Sequence, residues 1–167
     1  MVPRILPRSA VYEPILATGF VAVLAAEVLK LTYAAPFFPV FMGLWLIQFA
    51  MIKLFDIDDF ADNFTQYDVF AGKFRAYAYL FPFLQIVLGL AYLAAYNAQA
   101  VSIVLLIVAT ANLIGLYRQY DNAPLFGGKF LSAFLRTPLR ESAIAENVLM
   151  LIMALAYLLT HKLVYGF

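Results

Sequence analysis

Residues 76–117 read AYAYLFPFLQIVLGLAYLAAYNAQAVSIVLLIVATANLIGLY, and they contain no Asp, Glu, Lys or Arg. A helix that crosses a bilayer needs about 20 mostly apolar residues. This uncharged run is 42 residues long, enough for two such helices in succession. The break between them belongs at Asn97-Ala98-Gln99, the most polar triplet inside the run. The stretch therefore predicts a helical hairpin in lipid, and the rest of the chain is read outward from it.

Composition agrees. Of 167 residues, 65% are hydrophobic and 13% charged, whereas a soluble domain carries about 45–50% apolar and about 25% charged residues. A core cannot hide the excess, since a domain of this size still exposes about 30% of its extended-chain surface. The expected solvent is the lipid bilayer. The chain has no cysteine, which excludes thiol catalysis and cysteine-ligated metal or haem sites. A net charge of +1 leaves no footprint for nucleic acid.

Three further spans follow on the same criterion. Residues 31–52 form a second uncharged run with Pro36 and Pro39 near its start, where proline suits a helix beginning. The spans are placed at 12–33, 38–55, 76–96, 100–118 and 143–161. The first contains Glu27 and Lys30, three apart on one helical face and able to pair. It is read as a retained helix and not a signal peptide, because Pro3, Pro7, Glu13 and Pro14 interrupt the start and no A-x-A site follows. The fold expectation is all-α: a segment 1–37 with the first helix, then a four-helix membrane domain over 38–167. With the N-terminus inside, inside segments hold Arg4, Arg8, Lys53, Lys73, Arg75, Arg118, Lys129, Arg136 and Arg140, and outside segments only Lys30 and Lys162. That bias predicts a cytoplasmic N-terminus.

Two connections are long enough to hold structure, 56–75 and 119–142, and both fall on the same side. The first is acidic and aromatic. Asp56, Asp58, Asp59, Asp62 and Asp68 are five of the ten acidic residues. Phe60, Phe64, Tyr67 and Ala71 recur at helical spacing and form one stripe. This predicts a short amphipathic helix lying at the interface with its aromatic face toward lipid, capped at its N-terminus by Asp56. The acids read as a solvated polar face or as ligands for a hard cation. They do not follow the EF-hand spacing, and no metal is assigned. Lys53, three residues before Asp56, either snorkels to the interface or pairs with Asp56 or Asp68. The second connection contains Gly127-Gly128 followed by Lys129, which lacks the order of a phosphate-binding loop. Its basic residues suit an anionic lipid surface.

Polar groups inside spans are costly and face the bundle interior. The candidates are Gln48, Gln85, Asn112, Glu146 and Asn147. Gln85 follows Pro82 by three residues, where a polar group can serve the carbonyl that proline frees. His161 is the only histidine and reads as an interfacial residue, since zinc catalysis needs about three protein ligands. The interior set reads either as inter-helix hydrogen bonding or as a polar pocket for a quinone headgroup, an ion or a small solute. Lys53, Asp56, Asp59, Tyr67, Asp68, Gln85, Asn112, Glu146 and Asn147 are the candidate pocket residues. None is assigned a catalytic role, because no nucleophile–base pair is visible.

Three segments carry a resemblance. Phe49-Ala-Met-Ile-Lys-Leu-Phe-Asp-Ile-Asp-Asp-Phe-Ala-Asp-Asn-Phe-Thr-Gln-Tyr-Asp68 resembles the K-x-x-D-x-x-x-F-x-x-x-x-x-x-Y signature of the MauE branch of the DoxX-like membrane proteins, carried here by Lys53, Asp56, Phe60 and Tyr67. The helix around Pro82, Gln85 and Gly89 is similar to that family's P-x-x-E-x-x-x-G helix. Thr137-Pro-Leu-Arg-Glu-Ser-Ala-Ile-Ala-Glu-Asn-Val-Leu-Met150 resembles its last-helix start, which ends in E-N-x-x-M. The likeness spans about 40–160. It implies a small helical-bundle protein of a bacterial inner membrane linked to redox maturation, with a redox or maturation protein as partner. Two departures matter. Gln85 stands where the family carries Glu, and the closely spaced cysteines of thiol-active members are missing. A chain without cysteine cannot itself exchange disulfides. The resemblance therefore implies an accessory protein and not a thiol oxidoreductase, with intramembrane binding or transport as the alternative and quinone as the candidate cofactor.

Overall fold

The computed structural model describes residues 13–33, 37–118 and 139–165, with side chains described for 16–31, 37–118 and 143–160. Among them, every regular element is a helix: α1 Glu13–Tyr33, α2 Phe37–Phe55, α3 Ile57–Tyr67, α4 Arg75–Leu93, α5 Ala98–Arg118 and α6 Leu139–Tyr165. Four segments are long and apolar enough to cross a membrane: Phe37–Phe55, Arg75–Leu93, Ala98–Arg118 and, within α6, Ala143–Thr160. The expected spans 38–55, 76–96, 100–118 and 143–161 fall on these four, with α4 ending earlier, at Leu93. The first expected span, 12–33, is a helix, α1, and its Glu27 and Lys30 lie 3.8 Å apart at an exposed i,i+3 site. Residues 119–138, which hold Gly127-Gly128 and most of the second long connection, lie outside the described residues, as does the side chain of His161.

The helices present apolar side chains outward as well as to the core. Leu80, Phe83, Val87 and Leu90 form an exposed stripe along α4, and Val148, Ile152, Leu155 and Leu159 do the same on α6. Gln85, Ser102, Asn112, Glu146 and Asn147 are buried instead. Apolar stripes outside and polar groups inside are what a lipid solvent selects.

Without a hydrophobic drive between helices in lipid, close backbone approach has to hold the bundle together. The most extensive pair is α2 with α4, followed by α5 with α6. In the first pair, Gly43 and Gly89 stand face to face. A Cβ on Gly43 would lie 2.7 Å from the Gly89 carbonyl oxygen, and one on Gly89 would lie 2.8 Å from that of Gly43. Gly19 of α1 meets the Trp45 ring of α2 in the same manner, a Cβ there lying 3.1 Å from it.

The turn joining α4 to α5 starts where α4 runs out of hydrogen bonds. Tyr96 N–H reaches back to the Ala91 carbonyl at 2.9 Å and Ala95 N–H to the Tyr92 carbonyl at 3.0 Å. This is the double-bonded C-terminal cap that favours a left-handed residue after the helix. Ala95 fills that position with φ 51°.

The 56–68 segment forms the expected short helix, α3, with the Asp56 carboxylate accepting from Asp59 N–H at 3.3 Å. Its expected orientation is corrected. The aromatic stripe does not face lipid; it packs on α4. The Phe64 ring lies 4.6 Å from Phe81 and 5.0 Å from Phe60, and it meets Tyr67 edge-on at 5.4 Å. Phe64 is 1% exposed. Ring pairs in offset or edge-on contact gain about 0.5–1.5 kcal/mol beyond the burial of their area. The C-terminal end of α3 rests on α5 at Gly115, where a Cβ would lie 2.2 Å from the Tyr67 carbonyl oxygen. On its outer side, Asp62 pairs with Arg75, and Tyr79 donates to Asp58 at 3.0 Å.

Candidate functional site

The polar residues of four helices meet below α3. Lys53, near the end of α2, sends its ammonium inward. It donates to Gln85 Oε1 of α4 at 2.8 Å and to Glu146 Oε1 of α6 at 2.5 Å. Gln85 Nε2 donates to the same Glu146 oxygen at 2.9 Å. The triangle fixes its own geometry. An ammonium only donates, so Gln85 must turn its oxygen to Lys53 and its NH2 to the carboxylate. The triad carries one positive and one negative charge and is neutral as a unit. A neutral amide at position 85 makes this closure possible; a carboxylate there would face Glu146 across the same 2.9 Å gap.

Lys53 is also enclosed by rings. Its Nζ stands 5.2 Å from the Phe81 centroid, 5.6 Å from Phe60 and 5.9 Å from Phe49. Cation–π attraction strengthens when the cation is desolvated. The expected pairing of Lys53 with Asp56 or Asp68 is therefore corrected: Glu146, 93 residues away, is its ionic partner. The physical reason is that α3 uses its own acids locally. Asp56 caps α3, Asp59 accepts from Asn63, Asp62 pairs with Arg75, and Asp68 Oδ1 accepts from Phe70 and Ala71 N–H at 2.9 and 2.6 Å. Among the described residues no three acids or histidines gather at one point. Gln85 likewise spends its carboxamide on the charged pair rather than on the carbonyl that Pro82 frees.

Beside the triad lies a cavity of about 80 Å³, lined by Lys53, Glu146, Asn112, Asn147, Asp56, Asp59, Tyr67 and the rings of Phe49, Phe60, Phe64 and Phe81, with Ile52 and Ala143. Of the nine candidate residues, seven line it. Gln85 braces the charged pair, and Asp68 sits apart in the turn that follows α3. The wall residues Phe49, Phe81, Ile52 and Ala143 were not singled out from sequence. Apolar residues are common throughout the chain, and only the packing of α2, α3, α4 and α6 around the cavity selects these.

Two groups near the cavity have shifted acidities. Burial holds the Tyr67 hydroxyl well above its ordinary value, and the negative charges of Glu146 and Asp68 push it the same way. Tyr67 therefore presents a hydroxyl and not a phenolate. Burial also raises the Asp68 carboxyl, against the opposing pull of the Ala71 and Phe70 amides. The arrangement can bind: it offers an aromatic slot whose polar side carries Lys53, Glu146, Asp56 and Asp59.

Comparison of the chain with sequence-family models, curated proteins and solved structures finds no match.

Proposed function

We propose that the protein is a membrane-embedded binding or transport protein whose intramembrane pocket holds the polar head of a small solute, a quinone-type ring included. The observation that carries this reading is the closed Lys53–Gln85–Glu146 triangle beside the aromatic cavity. Burying an ion pair gives little net stability compared with apolar residues of the same volume. Ionisable groups held inside a membrane bundle mark binding sites and pathways. In this reading α1 is a fifth span and the N-terminus is cytoplasmic, supported by the distribution of Lys and Arg, and the membrane is a bacterial inner membrane, as the MauE/DoxX-like resemblance implies.

A second reading is an accessory role in a redox or protein-maturation system of MauE/DoxX-like type. It is favoured by the convergence of three separate motifs on one place. Lys53, Asp56, Phe60, Tyr67, Glu146 and Asn147 all line the cavity, and Gln85 from the Pro82–Gly89 motif supports it. The two readings separate in one experiment. The protein is purified in mild detergent and analysed by mass spectrometry for retained proteins, lipids and small molecules. A retained small molecule that disappears in Lys53→Met supports the pocket. A stoichiometric protein partner without a small molecule supports the accessory role.

A further inference from the structure

We propose that the cavity beside Lys53 selects a single-ring ligand bearing a hydroxyl group, and that Asn112 Oδ1 is the acceptor that reads this hydroxyl. This deepens the pocket reading above and rests on it.

The argument begins with an orphaned atom. Asn147 Nδ2 donates to the Ala143 carbonyl at 2.8 Å, which commits Asn147 Oδ1 to face Asn112 at 3.2 Å. An oxygen there only accepts, so Asn112 must turn its NH2 toward it. Asn112 Oδ1 is left with no partner, on a residue 2% exposed that lines the cavity. Buried polar atoms are almost always paired. What is lacking at this point is a donor.

The donor is a hydroxyl rather than an ammonium. Lys53 already stands over Phe49, Phe60 and Phe81, in the position a ligand cation would take, and a second cation would be repelled by it. Lys53 and Glu146 neutralise each other, and the two further carboxylates of the lining, Asp56 and Asp59, already accept from Asp59 N–H and Asn63 within α3. A hydroxyl also accepts. Of the three ammonium protons of Lys53, two go to Gln85 and Glu146, and the third is available to a ligand oxygen. The walls supply flat aromatic faces, which favour a ring in offset or edge-on contact. A cavity of about 80 Å³ has room for such a ring.

The test uses 4-fluorophenol and 4-fluoroanisole, which differ only in the donor proton and a methyl cap. Their 19F NMR signals are titrated against the full-length protein in detergent micelles, with empty micelles as the partition baseline. Saturable binding of the phenol, with the anisole weaker by about tenfold or more, is expected from the loss of one hydrogen bond to a buried acceptor. Asn112→Leu should bring the phenol down to the anisole level. The wild-type comparison stands by itself if that variant does not fold. Equal saturable binding of both probes overturns the hydroxyl inference and leaves an apolar pocket in place. No saturable binding of either probe overturns both this inference and the pocket reading.

Discussion

Lys53 and Glu146 are 93 residues apart in the chain and meet at 2.5 Å, with 13% and 6% of their side chains exposed. Removing one partner of a buried pair leaves an uncompensated charge and costs roughly 3–5 kcal/mol. Lys53→Met alone and Glu146→Leu alone should therefore each lower stability by that order, read from denaturation in a mixed detergent. The double variant should recover most of the loss, because matched apolar groups avoid the desolvation of both ions. Additive losses would show that the two residues act independently.

Gly115 has a different kind of constraint. A methyl group there meets the Tyr67 backbone carbonyl at 2.2 Å, and backbone cannot swing aside as a side chain can. Gly115→Ala should lift α3 from α5 and cost about 1–3 kcal/mol. Hydrogen exchange of the 57–67 amides should accelerate selectively. Gly19→Ala, which meets only the Trp45 ring at 3.1 Å, should leave those amides protected. Equal protection in both variants would contradict the docking described.

The pH dependence attached to Asp68 has a definite sign. Its carboxyl lies above the ordinary value of 3.8 because burial disfavours the charge. A folded value above the unfolded one means that the fold binds the proton more tightly. The associated stability is fully present below the unfolded value and is lost as pH rises through the folded value. Asp68→Asn keeps an oxygen to accept from Phe70 and Ala71 N–H and removes the charge. The variant should be at least as stable as wild type at pH 7 to 8 and should lack the wild type's gain on acidification. A variant less stable than wild type at neutral pH would show that the carboxylate charge is favourable there.

Ala95 adopts φ 51° in a cap position where glycine has no steric penalty. Ala95→Gly should stabilise the α4–α5 hairpin by about 1 kcal/mol, the relief of left-handed backbone exceeding the entropy that glycine adds to the unfolded chain. A lower thermal midpoint would contradict this.

The membrane-length helices were legible because hydropathy integrates over about 20 residues, so errors at single positions average out. The break was legible only to within a few residues: the polar triplet Asn97-Ala98-Gln99 interrupts 42 uncharged residues, whereas α4 ends at Leu93 and α5 already starts at Ala98. Gln85, Asn112, Glu146 and Asn147 stood out as candidates because polar groups are rare in such runs. The partner of Lys53 was not legible. Sequence offers Asp56 at three residues, whereas the fold supplies Glu146 at a separation of 93. Local spacing cannot rank those alternatives without knowing that α3 consumes its own acids in caps and turns. The direction of the aromatic stripe was hidden for a related reason, since period alone marks a face without saying whether lipid or protein covers it.

The central claim is that the Lys53–Glu146 pair is held inside the bundle to bind and not to stabilise. Native mass spectrometry of wild type and of Lys53→Met/Glu146→Leu, released from the same mild detergent, tests it directly. The account predicts a small-molecule adduct on wild type and a folded double variant without it. The same adduct on both proteins would contradict the account.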